Sequence, residues 1–512
     1  MNDSSIKVSS FFGAQKKLFR GQSFIKLEIL FNSQLVRLIL IIVIVSEFSS
    51  AFLRSISFEE FHYSEFQNPA FAMLMGRGEN PYQSMHSAMV PIGCYGPLSY
   101  FVPALVGRML RTVYSPYLFL LTFRLLAFGY FAGALFLSYL IFKKLTANLN
   151  VSLLFLIAIA HSTGWVAGAR ADWQALFYIV LALYLFSRRS SDSIVTYILI
   201  GICCGVAFLN LQRVAAFFCA TILYLISYRK AKYALITALS FGLTAFSILG
   251  VFWLYSRGNI MFHSFLVFFS LAAGITRRLY GISRENALWF FMPFFIAVWS
   301  FFLNAFRSRS STDRFIRIYA LTCLLTTLPG LFFTPAHTNH FMELTLVSCL
   351  LISFLFSKEN NSPGHAPNLY LNLRIIFIFI IFVYILSDAY ENARYWRAEL
   401  LGRRGRYDVS VGHENQLAAI PKGPMLSDNM QIAYKTGHPE ATTQTDFYLC
   451  ILKKQNKFDV SPTAERIKER YYASIIAAEE SCLYKEFKNE IRDNYHIIFS
   501  IRDENVWVPA NR

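Results

Sequence analysis

Apolar runs of span length recur along most of the chain, separated by short polar stretches. Taking ~20 apolar residues per crossing, the pattern predicts helices near 36–53, 118–142, 150–168, 173–187, 194–210 and 213–228. A second set follows near 233–254, 287–306, 315–334, 340–357 and 371–388. Basic residues mark every second connection, at Lys143-Lys144, Arg188-Arg189, Arg229-Lys230-Lys232 and Arg307/Arg309/Arg314. Lys and Arg resist translocation, so these loops face the cytoplasm. The intervening loops then face outward. They hold the acidic segment Phe58 to Glu65, the Arg170-Ala171-Asp172 turn, Gln212-Arg213 and the stretch from His337 to Glu343. About eleven spans that start inside leave the C-terminus outside.

One apolar segment breaks the count. Tyr95 to Leu110 is short and contains Pro97 and Pro103, and counting it as a span would put Lys143-Lys144 and Arg188-Arg189 outside. It therefore reads as an interfacial helix on the outer leaflet. From Glu391 onward the long apolar runs stop. Candidate strands at 424–427, 472–477, 495–501 and 506–509 alternate with a helical stretch, Ala464 to Arg470, and the turn Thr436-Gly437-His438-Pro439. This pattern predicts a small α/β layer. The expected fold class is mainly α, a polytopic membrane protein of about eleven transmembrane helices with a small C-terminal extracytoplasmic α/β domain. Its divisions are a cytoplasmic segment 1–34, a membrane domain 35–390 with a first outer loop 54–117, and a soluble domain 391–512.

Composition agrees: 55% hydrophobic residues, 15% charged and 51 Phe exclude an ordinary soluble protein. A net charge of +17 would suggest nucleic acid in a soluble chain. Here the Lys and Arg sit at the ends of apolar runs, facing anionic headgroups, so a nucleic-acid partner is rejected and membrane lipids are expected instead. Lys16, Lys17, Arg20, Lys26 and Arg37 precede the run Leu38 to Phe52, which has the length of a signal anchor. Cys203, Cys204, Cys219, Cys323 and Cys349 lie in apolar runs as small hydrophobes. Cys94, Cys450 and Cys482 fall in polar segments, and a Cys450–Cys482 disulfide is open if the tail is outside. No spacing of Cys and His suggests a metal site, so neither metal nor cofactor is expected.

The outer loops carry the candidate chemistry. Glu59, Glu60 and Glu65 precede Gly76-Arg77-Gly78-Glu79-Asn80-Pro81-Tyr82. A carboxylate beside the bilayer can act as general base on an acceptor hydroxyl; for any one of the three, a solvated loop or an N-cap is the better single reading. Arg170 and Asp172 interrupt an apolar sequence, where charge is expensive, and serve either as a turn-stabilising pair or as substrate contacts. Gln212-Arg213 and His340 with Glu343 have the same two readings, hydrogen-bonded glue between helices or ligand binding. Arg257, Arg277, Arg278 and Arg284 stand in an outward loop against the basic-residue rule. A lipid phosphate or headgroup contact accounts for them equally well.

At these residues the chain resembles the integral-membrane glycosyltransferases with the GT-C fold, the superfamily of the aminoarabinose transferase of lipid A and the protein O-mannosyltransferases. The carriers are Glu65 in the acidic first loop, the Gly78-Glu79-Asn80-Pro81-Tyr82 turn, Tyr95-Gly96-Pro97-Leu98, Arg124, Ala169-Arg170-Ala171-Asp172 and Asn339-His340-Phe341-Met342-Glu343. The tail motifs Leu426-Ser427-Asp428, Gly437-His438-Pro439 and Val506-Trp507-Val508-Pro509 are similar to the outer domain of such proteins. The chain departs from better-known members in having Glu59-Glu60 where they often show Asp-Glu, and Tyr-Gly-Pro where they often show His-Pro-Pro. The resemblance implies inverting transfer of a sugar from a polyprenyl-phosphate donor to a glycan, lipid or protein acceptor. The site would lie outside a bacterial inner membrane, with the N-terminus cytoplasmic and the C-terminus extracytoplasmic. The base role falls to Glu65, with Glu60 as rival, and donor contacts to Asp172, Gln212, Arg170, Arg213, Arg277, Arg278 and His340. The alternative from another class is a lipid-linked glycan transporter or flippase, which more often shows internal pseudo-repeats and matched broken helices. Neither is visible in the sequence.

Overall fold

The computed structural model of the chain describes residues 33–56, 66–82, 95–146, 148–162, 171–188, 193–211, 215–261, 263, 311–333, 342–353, 413–438, 441 and 459–510. The predicted spans near 287–306 and 371–388 lie outside these residues. The other predicted spans are present as helices: α1 (Gln34–Ile56), α4 (Pro116–Thr146), α5 (Leu149–Ser162), α6 (Asp172–Arg188), α7 (Ile194–Asn210), α8 (Ala216–Ser227), α9 (Ala231–Tyr255), α10 (Ser311–Phe333) and α11 (Met342–Ser353). The first loop adds α2 (Gln67–Arg77) and α3 (Leu98–Met109). Among the described residues, the 34–53 stretch of α1, α4 and α9 are long and apolar enough to cross a membrane alone. Their exposed apolar side chains, such as Leu38, Ile42 and Val45 on α1 and Leu239, Leu243 and Phe246 on α9, make a lipid-facing surface.

The helix ends follow the charge logic of the backbone. Asp172 opens α6 and Arg188 closes it, each complementing the helix dipole. Lys143 and Lys144 occupy the last turn of α4, and Lys144 hydrogen-bonds the carbonyl of Ser187 near the end of α6. Arg314, near the start of α10, lies 5.2 Å over the ring of Tyr228 at the end of α8. Arg37 of α1 donates to Asn150 at the start of α5, at 3.1 Å. The basic clusters that alternate along the sequence thus gather at one end of the bundle.

Within the described residues, the expected spans 150–168, 213–228 and 340–357 appear as helices over 149–162, 216–227 and 342–353. The described helix ends are staggered. Trp173 in the first turn of α6 meets α4 at Phe131, with ring centroids 4.6 Å apart, whereas α4 starts at Pro116. At ~1.5 Å rise per residue, about 20 Å of α4 extends beyond the start of α6. Thr322 of α10 bonds the carbonyl of Ala216, the first residue of α8, at 3.2 Å. Because α10 continues to Phe333, it overshoots α8 by about 16 Å. Gly205 of α7 packs at Thr244 of α9, so α9 overshoots α7 by roughly 10 Å. At the end away from the basic clusters, α6, α7 and α8 therefore stop at a sunken level inside longer walls.

The C-terminal part forms a four-stranded sheet, order β1-β2-β4-β3, from β1 (Met425–Ser427), β2 (Ser474–Ala478), β3 (Tyr495–Ile501) and β4 (Glu504–Pro509). β1 and β2 are parallel, whereas β4 is antiparallel to both β2 and β3. The strands predicted at 424–427, 472–477, 495–501 and 506–509 match these closely. The helices α12 (Glu414–Ala418), α13 (Met430–Lys435), α14 (Ser461–Lys468) and α15 (Cys482–Asn494) surround the sheet. The period of two along β2 sends Ile475 to one face, with Ile467, Leu483, Phe487, Ile491 and Trp507. It sends Ile476 to the other, with Ile432, Ala433, Ile501 and Val506. Cys482 is disulfide-bonded, its partner lying outside the described residues. The five cysteines of the apolar runs are in no disulfide.

Candidate active site

Three buried polar residues of the bundle lie at the sunken level. Asp172, 2% exposed, begins α6; Asn210, 2% exposed, ends α7; Glu343, 7% exposed, lies in the first turn of α11. One oxygen of Glu343 accepts two hydrogen bonds, from the backbone N–H of Phe217 at 3.0 Å and from the Tyr319 hydroxyl at 2.9 Å. The carboxylate thereby satisfies an otherwise orphaned N–H at the start of α8. Phe217 stands four residues beyond Arg213, and Glu343 three beyond His340, so this bond brings the flanks of two candidate segments together.

Above this level sits a lid built from the first loop, which contains a helix that its acidic residues and turn signals concealed. Helix α2 is buried from Gln67 through Gly76. It ends at Gly78 in the left-handed conformation, φ +88°, with the N–H of Gly78 on Met75 O and that of Glu79 on Leu74 O. These are the paired bonds of a Schellman stop, which favours glycine. Asn80 then accepts from the N–H of Tyr82 at 3.0 Å and donates to the carbonyl of Tyr255 at 3.2 Å. The Tyr255 hydroxyl returns a bond to the Glu79 carbonyl at 2.7 Å, and Asn259 donates to the carbonyl of Tyr82. The Gly-Glu-Asn-Pro-Tyr turn is thus stitched to the end of α9.

The Tyr95-Gly96-Pro97-Leu98 motif seats the second lid helix. The N–H of Gly96 donates to Asn210 O at 3.0 Å, and a Cβ at Gly96 would lie 2.0 Å from Leu209 O. A side chain would thus collide with the end of α7, which is why glycine stands there. Helix α3 buries Ser99, Tyr100, Pro103, Ala104 and Gly107. It leaves Phe101, Leu105 and Met109 exposed, an apolar face suited to the membrane interface.

The lid has its own core, in which Phe66, Phe71, Tyr82 and Tyr100 join Phe119, Phe123 and Phe252 from the walls. The C-terminal part contributes Met430 and Tyr434 to it. The Tyr434 hydroxyl donates to Pro116 O at 2.7 Å, and its ring lies 5.4 Å from that of Phe66. Arg124, fully buried on α4, and Arg77 both act electrostatically on this phenol. Burial nevertheless dominates and raises its pKa, so it stays protonated. Arg77 is itself held by a bond to the carbonyl of Val113 at 3.0 Å.

Of the catalytic and substrate-binding residues expected from the sequence, the structure describes Asp172, buried at the sunken level. Glu60, Glu65, Arg170, Gln212, Arg213, Arg277, Arg278 and His340 lie outside the described residues. Glu343 makes the hydrogen-bonded glue between helices that was one of its two expected readings, Arg124 was named only as a carrier of the resemblance, and Tyr434 was given no role. A buried carboxylate and a buried guanidinium inside apolar runs are the signals that mark the first two. Tyr434 carries none. Among the described residues, no group of three or more His, Cys, Asp or Glu side chains is placed to hold a metal ion.

A helical bundle whose first loop folds into a helical lid, with a small α/β part docked against it, is a fold met among solved membrane proteins. Among solved structures the chain is similar to ArnT from Cupriavidus metallidurans bound to undecaprenyl phosphate. The match covers 92% of this chain and 97% of that one, with a TM-score of 0.57 and 11% sequence identity. No protein-family profile and no curated protein sequence matches the chain.

Proposed function

We propose that the chain is a membrane glycosyltransferase that moves a sugar from a polyprenyl-phosphate donor to an acceptor hydroxyl at the extracytoplasmic face. The observation that carries this reading is the convergence at one end of the bundle: the sunken polar helix ends, the first-loop lid and the α/β part all meet there. Its likeness to ArnT, whose structure holds undecaprenyl phosphate, supports the choice of donor. The disulfide at Cys482 supports an oxidising compartment for the C-terminal part.

Chemically, Glu65 takes the proton of the acceptor hydroxyl, whose oxygen attacks the anomeric carbon as the bond to the phosphate oxygen breaks. The lipid phosphate departs with a negative charge that needs compensation more than protonation. Arg170 and Arg213, with Arg277, Arg278 and His340, are the groups proposed for that task, and Asp172 and Gln212 for holding the sugar. Attack opposite the leaving group inverts the anomeric centre.

Incubation of the purified protein in detergent with a polyprenyl-phosphate-linked sugar and candidate acceptors tests the reading. Transfer without a gradient or a second compartment is the expected result. Movement of the intact lipid across vesicles, with no sugar transferred in any assay, overturns it in favour of a transporter.

A further inference from the structure

The first turn of α6 carries two polar side chains that the chemistry above leaves unused. Trp173 and Gln174 directly follow Asp172, and each is 1% exposed. The indole Nε1–H of Trp173 and both polar atoms of the Gln174 amide, Oε1 and Nε2, have no hydrogen-bond partner among the described residues. Helix α7 ends at the same level: it packs on α6, each helix has 17 residues, and only residues 189–193 separate them in the sequence. There Asn210 donates its Nδ2–H to the carbonyl of Val206 at 2.8 Å. That bond fixes the amide orientation and leaves the buried Oδ1 as an acceptor without a partner. The carbonyl of Asn210 receives the N–H of Gly96, so this residue lies directly beneath the lid. Buried polar atoms are nearly always paired. Four unpaired ones gathered at two adjoining helix ends under the lid point to a ligand.

We propose that Trp173, Gln174 and Asn210 form a subsite that takes the hydroxyl groups of a neutral sugar, which builds on the glycosyltransferase reading. The donors and acceptors select the ligand. The indole N–H only donates, Asn210 Oδ1 only accepts, and the Gln174 amide does both. A phosphate or carboxylate, which only accepts, leaves Asn210 Oδ1 unpaired; an ammonium, which only donates, leaves the indole N–H unpaired. A sugar hydroxyl donates and accepts at once, so neighbouring hydroxyls satisfy all four atoms. The indole is held in advance by its ring contact with Phe131 at 4.6 Å, which lowers the cost of binding. A donor sugar and a glycan acceptor carry the same hydroxyls, and binding measurements separate the two sources.

Thermal unfolding and Kd measurements on the full chain in detergent test this. The probes are undecaprenyl phosphate, the same lipid phosphate carrying glucose, galactose, mannose or arabinose, and neutral trisaccharides. The wild type is expected to bind at least one sugar-bearing lipid about tenfold more tightly than the bare lipid. Gln174→Met, similar in size but unable to pair, is expected to melt no lower than the wild type without ligand, because an orphaned amide is removed. It loses roughly 5- to 10-fold of the preference, equivalent to one or two neutral hydrogen bonds. Trp173→Phe keeps a ring against Phe131 and loses the N–H; its preference falls about fivefold, and it decides the matter if Gln174→Met does not fold. A trisaccharide that binds the wild type and is weakened in both variants supports the subsite with the acceptor as its source. Equal binding of bare and all sugar-bearing lipids by the wild type, with no trisaccharide bound, overturns the proposal. So does a Gln174→Met chain that melts lower and keeps the wild-type preference. If the variants lose the preference but the wild type transfers no sugar, the glycosyltransferase reading fails and the subsite stands. Transfer by the wild type, with the preference intact in both variants, removes the subsite alone.

Discussion

Glu65 precedes a residue whose surroundings are well defined, since Phe66 is enclosed by Tyr434 and the rest of the lid core. Two further side chains carry predictions at the residue scale. Glu343 satisfies both the N–H of Phe217 and the Tyr319 hydroxyl. Glu343→Ala orphans both and is expected to destabilise the chain by about 1–3 kcal/mol for each, whereas Glu343→Gln keeps an acceptor and most of the stability. Thermal unfolding of the two variants in the same detergent checks the order. Gly96→Ala forces a Cβ into the backbone of Leu209, and a loss of roughly 1–3 kcal/mol follows from overpacking, measured in the same way. The role of Gly96 was visible in the sequence only as part of a motif. The reason for it, contact with a helix end more than a hundred residues away, was not.

At the scale of elements, most helices are legible because their apolar runs are long and end in basic residues. The tail strands are legible because Ile475 and Ile476 serve opposite faces, as period two requires. What escaped was α2, whose Pro69, Gly76 and Gly78 look like turn material until the Schellman stop and the burial of the whole helix explain them. The stagger of α6, α7 and α8 against the longer α4, α9 and α10 also escaped, because hydropathy is read along one helix and says nothing of the offset between neighbours. That stagger matters most for the candidate site, since it places Asp172, Asn210 and the Glu343 bonded to Phe217 below the ends of α4, α9 and α10. Asn80 joins the lid to the wall, so Asn80→Ala should loosen residues 78–82 against the end of α9. Faster hydrogen exchange in 78–82 with unchanged exchange in the C-terminal sheet is the expected outcome; uniform exchange across both would mean the stitch is not local.

At the scale of the whole molecule, alternating basic residues order the bundle so that one end is plainly basic and the other collects the lid and the α/β part. A transporter needs two matching halves that rock about a central site. This chain instead builds a head at one end, with a C-terminal part 318 residues along the sequence reaching back to the start of α4. A fixed head suits chemistry on a substrate presented from the membrane more than passage through it. The most direct test of this account is the rate of sugar transfer by Glu65→Gln in purified protein, measured beside donor binding and beside Glu60→Gln. Glu65→Gln is expected to bind the polyprenyl-phosphate donor as the wild type does and to lose transfer by ~100-fold or more, the loss that follows removal of a general base. Full transfer by Glu65→Gln would contradict it.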